Sequence, residues 1–394
     1  MMKKNKNRFL LGFFLGMLAM AVVVGGVGTG LYFANKNTSG KTISEKTSQK
    51  LDYINKLIDA KFLNKVNESD LEDGIYKGLL EGLNDPYSVY YTAEEYRKMM
   101  EQTSGTYSGI GALVSQNAET GIITVVKAFA DAPAAKAGVK NGDIIYKVKG
   151  KEVTGVDINN VVTEMKGEKG TTVDITVYRE SEKKYIDFTI TRDQVNEPTV
   201  EYKMLDKKKK IGYIQISQFE EVTYDQFTKA LDDLKKQGMK AVIFDVRSNP
   251  GGLYETVCKM LDEILPEGNL VSTKDKYGNE EKQTSDSKCL DMPMVVLQNK
   301  DSASASEIFA GAIQDFNAGK IVGTQSFGKG IVQTILPLSD GSAVKLTVQD
   351  YYTPSGKNIH GKGITPDVEA ELEENATSDT QLEKAKETIM ELMK

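Results

Sequence analysis

The chain has 394 residues, 40% of them apolar, which is enough for two or three domains that each have a core. Its 50 basic and 56 acidic residues are mixed along the whole length and give a net charge of -6, so no basic face is predicted and we expect no nucleic-acid partner. The single histidine, His360, and the two cysteines, Cys258 and Cys289, are too few for a histidine-based metal site or a cysteine cluster, so we expect no metal and no cofactor.

The amino-terminal segment 9–34 carries no charge and predicts a transmembrane helix. At about 1.5 Å per residue such a helix is roughly 39 Å long, enough to cross a hydrocarbon core of about 30 Å. Basic residues precede it: Lys3, Lys4, Lys6 and Arg8. The positive-inside rule therefore predicts a cytoplasmic stub at 1–8 and an extracytoplasmic location for the rest of the chain in the cell membrane. The alternative is a cleaved signal peptide with small residues at 25–30, which would have a shorter apolar run.

The segments 35–50 and 51–104 differ in their hydrophobic patterns. Residues 35–50 are polar and lack apolar periodicity, which predicts a linker. From 51 to 104, apolar residues recur at helical spacing until Asn84, Asp85 and Pro86 interrupt the pattern. We predict an N-terminal helical region here, suited to packing on a partner or on the core.

The segment 105–193 has the alternation of strands, clearest at Val173, Ile175 and Val177, with short helices predicted at 133–137 and 157–165. Three motifs in this order resemble a PDZ domain: Ser108–Ala112, Pro133–Val139 and Gly142–Ile145. In such domains the Gly-rich loop offers backbone N–H groups to a peptide carboxylate, and the adjacent strand accepts the peptide by β-addition. The resemblance implies that the loop of Gly109, Ile110, Gly111 and Ala112 binds peptide tails.

Between 194 and 370 strand and helix patterns alternate, which predicts an α/β core. Strands are predicted at 211–219, 241–247, 294–297 and 331–336, and helices at 224–237, 253–264 and from 304 to about 318. The tail at 371–394 is predicted to be helical.

Two segments of this core suggest nucleophilic catalysis. A serine cluster, Ser302, Ser304 and Ser306, opens a predicted helix, where free N–H groups favour the oxyanion of a tetrahedral intermediate. With one histidine in the chain, the base is expected from another side chain, and Lys329 between two glycines qualifies if burial lowers its pKa from about 10.4 towards neutrality. The pattern alone leaves the choice among the three serines open.

Each motif also has a simpler interpretation. Ser304 and Glu307 have the spacing of a capping box, in which the serine only satisfies a helix N–H. The run from Gly323 to Lys329 is close to a phosphate-binding loop, but Gly330 stands where that loop needs Ser or Thr and a strand follows, so nucleotide binding is disfavoured.

Taken together, Arg247–Gly252, Ser302–Ile308 and Phe327–Gln333 resemble the carboxy-terminal processing peptidases, the Ser–Lys family S41, over about residues 70 to 370. The resemblance implies a crotonase-like ββα peptidase core with an inserted, β-rich PDZ domain that has two helices. Position within the motifs implies Ser304 as nucleophile, Lys329 as base and Gln333 as the residue that orients the lysine.

Further roles follow from the same resemblance. The oxyanion donors are expected to be the N–H of Ala305 and that of Gly251 or Gly252. Asp315 matches a further polar position. His360 stands where relatives are expected to have glutamine, and we expect it to have a structural role, a hydrogen bond in a loop.

The sequence therefore predicts a membrane-anchored, extracytoplasmic serine endopeptidase that recognises polypeptide C-terminal tails and cleaves through an acyl-enzyme. The resemblance also implies that terminal helices, here Leu51–Leu83 and Gln381–Met393, can pair two chains into a homodimer. The alternative is a catalytically silent PDZ scaffold that only captures tails at the membrane. An enoyl-thioester enzyme of similar core fold has little support. The sequence leaves open whether Cys258 and Cys289 form a disulfide.

Overall fold

A computed structural model describes residues 43–372 and 378–394. The predicted stub 1–8 and transmembrane segment 9–34 lie outside these described residues. Within the described ranges, no helix combines the length and the apolar character that crossing a membrane requires. The chain forms two compact units, of which the first ends at Leu71 and the second is Glu72–Lys394.

The described chain before residue 105 contains three helices and one short strand. Helix α1 (Glu45–Lys61) starts within the predicted linker 35–50, because the Ser44 side chain caps it by accepting the N–H of Thr47 at 3.2 Å. Helix α2 (Glu68–Glu81) crosses the boundary between the two units. After a turn at 84–88, the short strand β1 (Val89–Tyr91) leads into α3 (Ala93–Ser104).

The predicted strands and short helices between 105 and 193 are confirmed. The elements are β2 (Thr106–Gly109), β3 (Ala112–Gln116), β4 (Ile123–Ala128), α4 (Pro133–Ala137), β5 (Ile144–Val148), β6 (Lys151–Glu152), α5 (Ile158–Met165), β7 (Thr172–Arg179), β8 (Lys184–Thr191) and β9 (Asp193–Asn196). One sheet has the order β3-β4-β5-β7-β8, with β6 on β5. Val173, Ile175 and Val177 point into its core, as their alternation predicts. Strands β2 and β9 pair with each other, so the chain enters and leaves this region through a two-stranded connection.

The remaining elements form the α/β core. They are β10 (Val200–Asp206), β11 (Ile211–Ile216), α6 (Thr223–Lys236), β12 (Ala241–Asp245), α7 (Tyr254–Asp262), β13 (Gly268–Asp275), β14 (Glu280–Ser285), β15 (Met294–Gln298), α8 (Ala305–Asp315), β16 (Gly319–Gly323), β17 (Ile331–Pro337), β18 (Ala343–Tyr352), β19 (Val368–Glu369) and α9 (Thr380–Leu392). The central sheet has the order β10-β11-β12-β15-β16-β19. It is parallel except for β10.

Burial on both faces explains the continuous apolar runs of the central strands. Helices α6, α7 and α8 cover one face, where Phe227, Phe244 and Phe309 pack together. Helix α9 covers the other face through Ala385 and Ile389. A second sheet, β1-β18-β13-β14 with β17 on β18, stands beside this core. Of its strands only β17 was predicted from the sequence, and β1 lies within the segment 51–104 that was predicted to be helical.

Candidate active site

The loops that follow β12, β15 and β16 leave the same edge of the central sheet, because parallel strands end on one side. They carry the three motifs of the sequence: the turn at 248–252, the serine cluster at 302–306 and the lysine loop at 326–330. The fold therefore brings all three together, although they are far apart along the chain.

Ser304 is the member of the serine cluster that faces a cleft. The Ser302 hydroxyl is buried and donates to the carbonyl oxygen of Val246 at 2.8 Å, and the buried Ser306 hydroxyl donates to that of Asn249 at 2.9 Å. Ser304 itself has φ +56° and ψ −114°, a sparsely populated conformation for a residue with a side chain. Ser304 thus has a strained backbone at the start of α8 and lines the cleft, whereas the hydroxyls of Ser302 and Ser306 are engaged inside the protein.

The turn at 248–252 lies against Ser304. A Cβ on Gly251 would come within 2.8 Å of the Ser304 Cβ, and one on Gly252 within 2.1 Å of the Phe219 carbonyl oxygen. The N–H of Gly251 donates to Oδ1 of Asn249 at 2.8 Å, so it is already used. In the described chain, the N–H groups of Gly252 and Ala305 donate to no acceptor, and both residues line the cleft. Of the two predicted glycine donors, the structure therefore leaves Gly252 available and engages Gly251.

Glu307 connects the serine to the lysine loop. Its buried carboxylate accepts four hydrogen bonds: Oε1 from the Ser326 hydroxyl (2.6 Å) and the Gly328 N–H (2.6 Å), and Oε2 from the N–H groups of Ser304 (2.8 Å) and Lys329 (2.8 Å). The N–H of Glu307 donates to the Ser304 carbonyl oxygen at 2.8 Å, so helix capping does not require the Ser304 hydroxyl. Glu307 therefore does more than cap the helix, because it also binds the loop of Ser326, Gly328 and Lys329. The capping-box spacing in the sequence does not indicate this second role.

The Lys329 amine is half-buried and lies 4.6 Å from the centroid of the Tyr87 ring. Burial lowers the pKa of Lys329 below its usual value, and Lys345 adds to this by repulsion, while Asp85 and Glu307 act in the opposite direction. In the described chain the amine forms no salt bridge and no hydrogen bond, so it does not contact the Ser304 hydroxyl in this arrangement. Catalytic hydrogen bonds are often long or poorly aligned without substrate.

Gln333 lies on β17 and lines the cleft. Its side-chain amide donates to the Thr347 hydroxyl of β18 at 3.4 Å, and no hydrogen bond between Gln333 and Lys329 is present in the described chain. Sequence reasoning missed Tyr87 and Lys345, which lie on this side of the site. The only signal in the sequence is the Asn84–Asp85–Pro86 interruption, which predicts no more than the end of a helical pattern.

The cleft has a volume of about 930 Å³. Leu253, Ile308 and Ile331 give it an apolar wall next to Ser304, while Glu220 and Lys345 are among its charged groups. A partly apolar cleft of this volume can accommodate a segment of extended polypeptide.

Other predicted residues lie outside the cleft lining. Asp315, at the end of α8, accepts the N–H (3.0 Å) and hydroxyl (2.7 Å) of Ser355 and anchors that loop. His360 is exposed, and its backbone N–H donates to the Asn358 side chain at 2.9 Å. Cys258 is buried, Cys289 is exposed, and both thiols are free.

The Gly-rich loop at 109–112 also lies apart from the cleft lining. Gly111 has φ +74°, and a Cβ there would come within 2.2 Å of the Ala132 Cβ. The carbonyl oxygens of Ile110 and Gly111 accept the N–H groups of Ala134 (2.7 Å) and Phe129 (3.1 Å). The N–H groups of Ile110 and Gly111 have no acceptor in the described chain, which leaves them free for a carboxylate.

Comparison with known families agrees with this architecture. Residues 210–370 match the model of peptidase family S41, 108–190 match the PDZ domain, and 29–95 match the N-terminal domain of the activating protease CtpB. The protein accordingly combines an S41 peptidase fold of mixed α/β type with a PDZ domain.

Individual relatives are serine proteases of this type or have this fold. The chain is 36% identical over 358 residues to a probable CtpA-like serine protease of Staphylococcus epidermidis, covering 90% of this chain and 71% of the relative. It is 36% identical over 362 residues to one of Staphylococcus aureus, covering 90% and 72%. A solved structure of a putative S41 protease from Bacteroides fragilis has the same fold, with a TM-score of 0.54 and 16% identity over 85% of this chain and 92% of that one. The chain belongs to peptidase family S41, among its PDZ-containing carboxy-terminal processing serine proteases.

Proposed function

We propose that this serine protease is an endopeptidase in which Ser304 is the nucleophile, Lys329 the base and Gln333 the residue that orients the lysine. The observation that carries the proposal is the Glu307 carboxylate, which binds the backbone N–H groups of both Ser304 and Lys329 at 2.8 Å. A single buried group thus holds the two loops together beside the cleft.

The chemistry follows from these positions. The neutral Lys329 amine takes the proton of the Ser304 hydroxyl as the oxygen attacks the peptide carbonyl carbon. The N–H groups of Gly252 and Ala305 stabilise the resulting oxyanion, a contribution of about 3 kcal/mol per donor. When the C–N bond breaks, the lysine ammonium gives its proton to the leaving amine, and water then hydrolyses the acyl-enzyme. The amine must first move from its position against Tyr87 towards Ser304.

The PDZ domain would select the substrate. The free N–H groups of Ile110 and Gly111 suit a terminal carboxylate, with Gly109 and Ala112 completing the loop. We therefore infer that polypeptides with accessible C-terminal tails bind there before cleavage.

We further propose that residues 9–34 anchor the enzyme in the cell membrane with the protease outside the cytoplasm. The support is the uncharged run and the preceding basic stub at 1–8. A homodimer through the terminal helices stays part of the proposal, because α1 exposes Tyr53, Ile54 and Leu57.

Ser304→Ala and Lys329→Ala test the mechanism. Each should abolish cleavage of an unfolded polypeptide with a tagged tail, while equilibrium binding of the tail peptide stays at the wild-type level. Ser287→Ala and Lys300→Ala, which alter exposed side chains, serve as matched controls. Retained turnover in Ser304→Ala would contradict the assignment of Ser304 as the nucleophile.

The alternative of a silent scaffold predicts a different result. A scaffold would bind tail peptides as the wild-type protein does and would release no fragments at any pH. The family and the free oxyanion donors favour the protease.

A further inference from the structure

The turn at 84–88 lies next to Lys329, the proposed base. Its Tyr87 ring carries the Lys329 amine at 4.6 Å from the centroid. Asp85 shapes the turn by accepting the Tyr87 N–H at 3.1 Å and the Ser88 hydroxyl at 2.6 Å. The Ser88 oxygen in turn accepts the Thr347 N–H of β18 at 3.0 Å, so the turn is attached to the second sheet.

Lys345 approaches from that same sheet. It lies two residues before Thr347 on β18, and side chains two apart share one face of a strand. It lines the cleft together with Ser304 and Gln333, and its amine lies 5.4 Å from the centroid of the Tyr91 ring. In the described chain Lys345 forms no salt bridge, so its positive charge is not neutralised by a carboxylate in contact.

We propose that the turn at 84–88 contributes to the active site: the Tyr87 ring positions the Lys329 amine, and Asp85 and Lys345 act on the charge of that amine in opposite directions. This inference rests on the proposed role of Lys329 and deepens it. It assigns a catalytic-site contribution to a segment that precedes the PDZ domain by some twenty residues of sequence.

The charges around Lys329 define the sign of each effect. An aromatic face and a carboxylate stabilise the ammonium form, so Tyr87 and Asp85 oppose loss of the proton. Lys345 destabilises the ammonium form and favours the neutral amine. Glu307 from α8 acts with Asp85, because its carboxylate also favours the ammonium form of Lys329. Gln333 from β17 is neutral.

The pH dependence of kcat/KM tests the proposal, measured with the full-length enzyme and an unfolded tail-tagged polypeptide. The acid limb reports the free enzyme's base. Tyr87→Leu should move this limb to lower pH by about half a unit, because the ammonium form loses its cation–π contact. It should also reduce kcat, because the ring no longer positions the amine. Lys345→Met should move the limb to higher pH by a similar amount.

The matched variants separate charge from shape. Tyr87→Phe keeps the aromatic face and should keep the wild-type limb. Asp85→Asn should move the limb in the same direction as Tyr87→Leu. Tyr277→Leu is the control, because it removes an exposed ring whose centroid lies 5.0 Å from the Lys276 amine. It should leave the acid limb and kcat at the wild-type values.

The outcomes distinguish this inference from the proposed function. If Ser304→Ala is inactive but the limbs of Tyr87→Leu and Lys345→Met coincide with the wild type, the turn has no such role while the Ser304 assignment stands. If Ser304→Ala or Lys329→Ala still cleaves, the proposed function itself is wrong.

Discussion

Glu307 shows how much one buried residue can organise. Both carboxylate oxygens are saturated by hydrogen bonds from the two loops that carry Ser304 and Lys329. A carboxylate accepts at both oxygens, whereas an amide offers only one acceptor oxygen and an NH₂ group. The four donors at this position therefore require a side chain with two acceptor oxygens.

Glu307→Gln should consequently lose activity and stability together. Its NH₂ group would face N–H donors and leave at least two of them unpaired, which costs roughly 1 to 3 kcal/mol for each buried group. Thermal unfolding and cleavage rate measure both effects. Glu267→Gln at an exposed position is the control. A Glu307→Gln enzyme with wild-type stability would contradict this role.

Glu220 is also a buried carboxylate, but unlike Glu307 it lacks a full set of hydrogen-bond donors among the described residues. It is 3% exposed, and its Oε2 has no hydrogen-bond partner in the described chain. Burial, together with repulsion from Glu197, raises the pKa of Glu220 from 4.5 to about 7. The folded state thus keeps a proton that the unfolded state releases above pH 4.5.

The free energy of unfolding should therefore fall as pH rises from 4.5 to about 7, by at most about 3 kcal/mol from this residue. Glu220→Gln should remove this decrease, so that the variant gains stability over the wild type at pH 8 but not at pH 4. Denaturant unfolding at both pH values measures the difference. Glu221→Gln, at the exposed neighbour, should keep the wild-type dependence.

At the scale of an element, the turn at 248–252 acts as a spacer of fixed shape. Gly251 and Gly252 have φ +109° and +142°, values that favour glycine. Their missing Cβ atoms let the turn approach Ser304 on one side and Phe219 on the other. A free N–H beside the nucleophile depends on this close approach.

Gly252→Ala should reduce kcat by about 100-fold or more, because the new Cβ would overlap the Phe219 carbonyl oxygen and displace the oxyanion donor. Gly150→Ala is a matched control, since Gly150 has φ +76° but open space around its Cα. It should cost some stability and leave kcat unchanged. Equal kcat in both variants would contradict an oxyanion role for the turn.

At the scale of the whole molecule, helices pack on both faces of the central sheet, and helices from both faces contact the loops of the site. Helix α9 is joined to the site's edge by Arg247, whose guanidinium contacts Asp245 at 2.6 Å and Asp379 at 2.8 Å. Arg247 stands directly before the turn at 248–252, so the carboxy-terminal helix supports the loop that carries the oxyanion donor.

Ile389→Ala should destabilise the protein by roughly 2 to 4 kcal/mol, because Ile389 is fully buried between α9 and the sheet. Denaturant unfolding measures the loss. Met390→Ala, at a neighbour that is 38% exposed, should cost much less. Similar losses in the two variants would show that α9 does not pack on the sheet as described.

The amino-acid sequence by itself determined the elements with strong periodicity and the family. Strands buried on both faces, such as β12 and β15, have continuous apolar runs, and helices such as α6 have one apolar stripe, so local patterns suffice for them. The polar strand β14 has five exposed residues out of six, and its pairing with β13 is a long-range contact that leaves no local pattern.

Only the tertiary structure decided which residues of each motif are free to act. It engages Ser302, Ser306 and the Gly251 N–H in hydrogen bonds, and leaves Ser304 and Gly252 at the cleft. It also brings Tyr87 onto Lys329, more than 240 positions further along the chain. The physical reason is that hydrogen-bond satisfaction and burial depend on neighbours in space, and spacing along a chain does not encode those neighbours.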